Sequence, residues 1–416
     1  MKILSLFDGM ACGALAMQAA GIEIDKYIAY EIDKYAIQTA QHNFPFIEER
    51  GDVFKADFTE YAGFDYLIGG SPCTYWSIAQ TKNRETVASG IGWELFSQYV
   101  RALHEAKPRF FLYENNKSMS AAIRASITET FGFEPICINS ALVSAQNRQR
   151  LYWCGIRQAD GTYKKADIQQ PADRGIFLKD ILEKNAVTWL EKAYTYTTRC
   201  QGAIIDNTLE KHQHTMVAEP VSLRYERSEQ AKKLRKQYES HEIKHGYHEL
   251  SELHPRLVGK TNTLSTVQKD NMIMEPLNVD GIKYCNDKNI AHICRPFGSK
   301  AKVITENEKA PTLMAAMGTG GGNGVYYAEN MKIREATKTV PIYEVKDGFI
   351  TVKGNKYPIK LVDGFYIIRK LSVRECMRLQ TVPEWYEWPV SKSQAYKMLG
   401  NGWTVEVIAH LFRGLK

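Results

Sequence analysis

Short apolar runs alternate with helical stretches through the first 157 residues. Ile3–Phe7 predicts a strand and Ala14–Ala20 a helix. Lys26–Tyr30 predicts a second strand, backed by a helix over 34–42. Tyr66–Ile68 and Arg109–Tyr113 read as further strands on either side of a helix over Trp93–Ala106. Residues 117–131 read as helix, and Ile136–Leu142 and Arg150–Ile156 as two late strands. Alternation at this spacing predicts an α/β domain with a mostly parallel sheet covered on both faces.

The period then fades. Residues 161–365 are polar, irregular and rich in Thr, Asn, Gly and His, with one helix predicted over Arg224–Ser240. A faint repeat runs through Asn207-Thr208-Leu209, Asn262-Thr263-Leu264 and Pro311-Thr312-Leu313, at spacings too irregular for a solenoid. Met216–Pro220 and Met272–Pro276 follow the first two copies as similar strand–loop units. Regularity returns at Tyr366 and ends in a helix over Trp403–Leu415. Three segments are therefore expected: 1–160, 161–365 and 366–416.

Composition narrows the class. The chain is 44% hydrophobic and 24% charged, as in ordinary globular proteins. No apolar run is long enough to span a membrane. Met1–Phe7 begins like a signal peptide but runs straight into Asp8-Gly9, which predicts a buried first strand. Eight cysteines without a C-x-x-C pair suggest neither a zinc ribbon nor a disulfide framework, and fit a reducing cytoplasm. His241, His245 and His248 cluster without a completing ligand nearby, so no metal site is expected. Net charge is +7, and residues 161–365 carry +6 of it. A polyanion would meet that segment, although a solvated surface explains the charge equally well.

Motifs carry the chemistry. The first strand runs into Phe7-Asp8-Gly9-Met10-Ala11-Cys12-Gly13 and then a helix. A tight glycine turn there lets backbone approach a ligand. Glu31, at the end of the second strand, suits a ribose diol, and Asp52-Val53 after Gly51 suits an adenine. The set fits an adenosine ligand but does not separate a nicotinamide cofactor from a methyl donor. Gly69-Gly70-Ser71-Pro72-Cys73 presents a thiol rigidly at a strand end, and 79–92 reads as a mobile lid. Phe110–Asn116 is an apolar strand ending in Glu114, a carboxyl that a dry sheet end would help to keep its proton. Gln146, Arg148 and Arg150 alternate, so that on a strand they share one face.

In order, these elements resemble the cytosine-5 DNA methyltransferase family. The matches are F-D-G-x-x-x-G, E-x-D at Glu31–Asp33, G-D-V at Gly51–Val53 and S-P-C at Ser71–Cys73. They continue with E-L-F at Glu94–Phe96, Y-E-N-N at Tyr113–Asn116, Q-x-R-x-R, Arg369–Pro383 and Leu399–Val405, over nearly the whole chain. F-D-G-x-A-x-G and the late Trp403 are similar to the animal de novo enzymes, without their chromatin-reading modules.

The resemblance implies a Rossmann-like S-adenosylmethionine-dependent methyltransferase sheet over 1–160. It implies a target-recognition insertion over 161–365 as a smaller lobe, and C-terminal motifs over 366–416 that return to the catalytic domain. Cys73 would attack carbon 6 of cytosine, Glu114 would meet ring nitrogen 3, Arg150 would hold the exocyclic oxygen and Arg148 would brace the site. Phe7, Gly9, Glu31, Asp52, Val53, Leu95, Asn401 and Trp403 would bind S-adenosyl-L-methionine, and Ser77 and Gln146 would contact DNA. The implied partner is double-stranded DNA, read by a cytoplasmic monomer of a bacterial or phage-infected cell. A cognate restriction endonuclease is left open.

Three features depart from the family. Ser5 stands where an acid is usual, Ala11-Cys12 replaces a glycine pair, and Trp403 replaces a small residue. An RNA methyltransferase with the same nucleophile and a catalytically silent DNA-binding module are the competing classes. The long insertion argues against the first, and Cys73, Glu114 and Arg150 together argue against the second.

Overall fold

The structure is a computed structural model that describes residues 1–77, 84–198, 200, 203–227, 236–237, 240, 251–256 and 341–415, with Cys73, 222–227 and 251–256 described by backbone only. The chain divides into two compact units. The first comprises 1–183, 190–215 and 370–416, and the second 184–189 and 216–369. The first unit thus runs past the expected boundary at 160. Leu178, Ile181, Ala193 and Tyr196 are buried, and Lys192 donates to the carbonyls of Ala141, Ser144 and Ile176.

The first unit is built on strands β1 (Lys2–Leu6), β2 (Lys26–Tyr30), β3 (Ile47–Glu49), β4 (Tyr66–Gly69), β5 (Phe110–Asn116), β6 (Ile136–Asn139), β7 (Gln149–Arg157) and β8 (Tyr163–Lys165). Their order is 3-2-1-4-5-7-6, with β8 also on β7. β1 to β5 pair in parallel, as expected of a Rossmann-like sheet. β7 runs antiparallel to β5. The sequence pattern does not reveal this reversal, because a buried strand reads the same in either direction. The consequence is functional. The start of β7 lies at the same edge as the end of β5, with Asn116 opposite Arg150.

Helices α1 (Cys12–Ala19), α2 (Lys34–Asn43), α3 (Ile91–Ala106) and α4 (Ala121–Phe131) connect the strands, and α5 (Ile205–Leu209) lies farther along. α4 starts four residues later than predicted, because the Ser120 hydroxyl accepts from the Ile123 N–H and caps it there. α6 (Val373–Leu379), α7 (Lys392–Asn401) and α8 (Val405–Gly414) complete this unit, and α8 packs against α1. Gly13 lets α1 approach the sheet: a Cβ there would meet Ile68 Cδ1 at 2.4 Å and the Tyr27 hydroxyl at 2.5 Å. The core on the α3 side is aromatic, with Phe96, Tyr99, Phe111, Tyr113, Phe131 and Trp153 buried together. Such rings bury large apolar areas and lock the strand ends that carry the site.

The second unit contains a five-stranded sheet from β9 (Met216–Pro220), β12 (Ile342–Lys346), β13 (Phe349–Val352), β14 (Asn355–Pro358) and β15 (Gly364–Lys370). β10 (Ser222–Arg227) and β11 (Ser251–Arg256) pair antiparallel. The helix expected from Arg224 is therefore corrected over 224–227. Cross-strand pairing with 251–256 overrides a helical propensity that rests on charged residues. The second and third copies of the faint repeat and the histidine cluster lie outside the described residues.

Candidate active site

The carboxyl ends of β1, β2, β4 and β5 and the start of β7 meet around a cavity of about 240 Å³. This is the switch point of the sheet, where β2 and β4 leave β1 on opposite sides. The turn after β1 is unusual: Phe7, Gly9 and Ala11 all have positive φ, at 59°, 62° and 58°. Two non-glycine residues in the left-handed region are costly and mark a conformation held by its surroundings. Glu31 is one such support. One carboxylate oxygen accepts the Gly9 N–H at 2.9 Å, and the other accepts those of Ile32 and Asp33.

Asp8 is buried beneath this turn. Its Oδ1 accepts from the hydroxyls of Ser5 and Tyr27, while Oδ2 has no protein partner. Burial pushes its pKa up to about 6, against the pull of those two hydrogen bonds and with a further push from Glu31. Ser5, one of the departures from the family pattern, thus serves a carboxylate that stands three residues later. Glu49 is likewise pushed up to about 8, by burial first and by Asp8 and Glu31 second. The cavity lining carries Asp8, Glu31, Asp33 and Glu114 on one hand and Arg148, Arg150 and Lys397 on the other, so that it offers partners to both charges of a zwitterionic ligand.

Gly69 and Gly70 allow the end of β4 to pass close to its neighbours. A Cβ on Gly70 would lie 2.8 Å from the Glu114 carbonyl oxygen and 2.9 Å from its Oε2. Cys73 opens a 3-10 turn over Cys73–Tyr75, and its neighbours Pro72 and Thr74 both line the cavity. The loop before it is tied to β5. Ser71 Oγ and the Tyr113 hydroxyl are 2.7 Å apart, and the Asn115 amide donates to the Ser71 carbonyl at 3.2 Å. Tyr113 and Asn115 belong to the Y-E-N-N motif, so their signal was present in the sequence, but their role was not.

Glu114 is only 12% exposed. It is not a lone carboxyl at a dry strand end. Oε1 pairs with Arg150 Nε at 3.2 Å, and Oε2 accepts the Trp403 indole N–H at 2.9 Å. Arg148 is buried and donates to the carbonyls of Tyr196 at 2.7 Å and Gly402 at 2.9 Å, with Gly400 farther at 3.4 Å. Both arginines line the cavity.

Phe7, Gly9, Glu31, Asn401 and Trp403 also line the cavity, whereas Asp52, Val53 and Leu95 do not. Asp52 caps a short 3-10 turn over Val53–Lys55 by accepting from Phe54 N–H at 3.0 Å. Val53 is buried, and Leu95 packs partly buried against the aromatic core. Gln146 corrects an expectation. It is fully buried, donates to the Leu379 carbonyl and Gln380 Oε1, and accepts from Tyr196 N–H. A side chain so enclosed is a strut, not a DNA contact.

Ser77 is half-buried at the end of the Cys73 segment. The lid expected over 79–92 is narrowed. Residues 78–83 lie outside the described residues, and 84–92 are tied down. The Glu85 carboxylate accepts from the Trp76 indole and from Gly92 N–H, and Arg84 donates to the Ser118 carbonyl.

The model of C-5 cytosine-specific DNA methylases matches residues 1–416. The chain belongs to the C-5 cytosine-specific DNA methylase family. Its activity is that of a DNA cytosine-5 methyltransferase. The methylase is 25% identical to the orphan methyltransferase M.SPRI of Bacillus phage SPR over 476 aligned positions, covering 100% of this chain and 97% of the relative. It is 33% identical to the orphan methyltransferase M.Rho11sI of Bacillus phage rho11s over 170 residues, 38% of this chain and 33% of the relative. Among solved structures, a mutant DNMT2 of Spodoptera frugiperda is similar at a TM-score of 0.48 and 14% identity, covering 100% of this chain and 99% of that one. Among the described residues no helix is long and apolar enough to cross a membrane.

Proposed function

We propose that the methylase transfers a methyl group from S-adenosylmethionine to carbon 5 of a flipped-out cytosine in a specific duplex sequence, through a covalent Cys73 adduct. The observation that carries this reading is the Glu114 carboxylate, held between Arg150 and Trp403 on a cavity whose wall includes both neighbours of Cys73.

When bound, the cofactor supplies an electrophilic methyl group on a sulfonium. Phe7, Gly9, Glu31, Asn401 and Trp403 would hold it, with Asp8 buried beneath the turn that carries Phe7 and Gly9. Asp52, Val53 and Leu95 are assigned to it by the family motif. The protein's own chemistry lies in activating the base. Cytosine carbon 5 is a weak nucleophile. Thiolate addition from Cys73 to carbon 6 makes carbon 5 electron-rich, and Glu114 meets ring nitrogen 3 as charge develops there. Arg150 holds the exocyclic oxygen. Arg148 fixes the C-terminal segment through its carbonyls. After transfer, loss of the carbon-5 proton lets Cys73 leave. A stacked base cannot reach these groups, so the cytosine must leave the helix.

Competing thiols are poorly suited to this role. Cys12 lines the cavity, but burial pushes it up to about 12, and Cys154 likewise. A thiol held that high is not the thiolate the addition needs. Of the +6 segment 161–365, the part in the second unit, 216–365, is assigned to target recognition, with Ser77 near the DNA. We read it as a solitary, monomeric enzyme of the bacterial cytoplasm; the name orphan methyltransferase carried by two relatives bears on the first point alone.

Whole-genome bisulfite sequencing of expressing cells tests the proposal. Wild type should leave 5-methylcytosine at one short motif, and Cys73→Ser should leave none. Absence of the mark in wild type, or retention by Cys73→Ser of more than about a tenth of wild-type methylation, refutes the covalent reading.

A further inference from the structure

Glu114 is served by two donors, one for each oxygen, and they come from different parts of the chain. Arg150 enters from the adjacent strand β7. Trp403 enters from the segment between α7 and α8, 289 residues away in sequence. The terminal torsion of a glutamate is soft, so one donor leaves the carboxylate plane free to turn. A second donor on the other oxygen fixes it. Gly70 closes the arrangement from one side, since a Cβ there would lie 2.9 Å from Oε2 and 3.5 Å from the indole nitrogen. This leaves little room for water to replace the indole.

The indole is itself presented by a fixed backbone. Arg148 and Gln380 both donate to the Gly402 carbonyl, at 2.9 and 3.5 Å. Thr404 Oγ1 donates to Gln380 Oε1 at 2.9 Å, and the Cys12 thiol lies 3.9 Å from the Trp403 carbonyl. The same tryptophan lines the cavity together with Phe7 and Glu31. One side chain therefore borders the cofactor region and grips the carboxylate assigned to the base.

We propose that Trp403 is a positioning residue for base activation: its indole N–H sets the Glu114 carboxylate in the plane that meets cytosine nitrogen 3. This rests on the reading of Glu114 and Cys73 given above. It separates two roles of Trp403. The ring forms cavity wall, and the N–H acts through Glu114.

The test measures base activation without the methyl donor. Addition of Cys73 to carbon 6 lets carbon 5 take a solvent proton and release its own hydrogen. The carbon–sulfur bond then breaks and restores cytosine. Release of tritium from plasmid DNA labelled at cytosine carbon 5 reports this cycle. Trp403→Phe keeps an aromatic ring and removes the donor. Its release rate should fall about tenfold or more, the loss expected for a hydrogen bond to a charged group. S-adenosylmethionine affinity by calorimetry should fall by less than release does, since the ring that remains still forms cavity wall, and a cooperative melting curve shows that the variant folds. In a Glu114→Gln background the same change should cost little further, because both act on one group. Unchanged release in Trp403→Phe, or loss of cofactor affinity in step with release, overturns the proposal and leaves Trp403 as cavity wall alone. Absence of release in wild type overturns the covalent reading, and this inference with it.

Discussion

Replacing Gly70 by Ala should cripple methyl transfer while leaving a folded protein. The added Cβ would stand 2.8 Å from the Glu114 carbonyl oxygen, 0.6 Å inside the 3.4 Å at which ordinary contact begins. That oxygen belongs to β5 and cannot swing aside, because Glu114 is paired with Tyr152 in the sheet. The second contact, 2.9 Å to Glu114 Oε2, falls on a side chain already committed to Arg150 and Trp403. Either the strand ends part or the carboxylate abandons its donors. Small-to-large changes of this kind cost roughly 1–3 kcal/mol of stability. Displacing a catalytic group by about 1 Å costs on the order of 100-fold in rate. The shift needed here is somewhat smaller, so a loss of about 30-fold in single-turnover methyl transfer is expected, with the thermal transition lowered but cooperative. The assay is incorporation of labelled methyl into plasmid DNA at saturating cofactor, beside a melting curve. Transfer within about threefold of wild type would refute the close approach of β4 to Glu114 on which the site geometry depends.

Two further outcomes follow from the cofactor side. Asp8 holds a folded pKa of about 6 against 3.8, so the native state keeps this proton more tightly than the unfolded chain. Its contribution is greatest below pH 4 and is lost as pH rises through about 6, by about 3 kcal/mol in full. Asp8→Asn should flatten that slope in denaturant midpoints measured from pH 4 to 7, and a slope equal to wild type would show that the carboxyl is not buried as described. Glu31→Ala removes the acceptor of three backbone N–H groups and should weaken S-adenosylmethionine binding about tenfold or more in calorimetry. Asp52→Ala removes one cap outside the cavity lining and should cost less; equal losses would mean the pocket extends to Asp52.

How far the sequence revealed this structure depends on how local each signal is. Strands β1, β2 and β4 and helices α2 and α3 fall within two residues of their hydropathy pattern, because each is written in its own residues. The motif residues Phe7, Glu31, Glu114, Arg148, Arg150 and Trp403 all reach one cavity. What was missed depends on partners distant in sequence. Nothing local marks β7 as reversed, yet the reversal places Arg150 beside Glu114. Gln146 shares the alternation of Arg148 and Arg150 but meets Leu379 and Gln380, more than 230 residues away, and is buried. The strands β12 to β14 did have a local signal. Asp347-Gly348 and Lys353-Gly354 both take positive φ, the pairing of tight hairpin turns, between short alternating runs. The polar composition of the segment masked it.

The C-terminal segment explains why a catalytic unit can carry so long an excursion. Residues 216–369 leave the first unit and the chain returns at 370, so its motifs must be recaptured after a gap of 154 residues. Closing such a gap is less costly than its length suggests, since each doubling of a loop adds only about 0.6 kcal/mol. Recapture is specific because buried polar groups of the first part of the chain are satisfied by backbone carbonyls of the returning segment. Ser144 and Gln146 donate to the Leu379 carbonyl, Arg148 to Gly400 and Gly402, and Gln380 to Leu399. Leaving any of these unpaired would cost about 1–3 kcal/mol each, more for the guanidinium. The same set fixes the backbone on which Trp403 reaches Glu114. Stability and base activation therefore draw on one group of contacts. The return of the chain is set by residues 379–404 meeting Ser144, Gln146 and Arg148, and not by the length of the excursion.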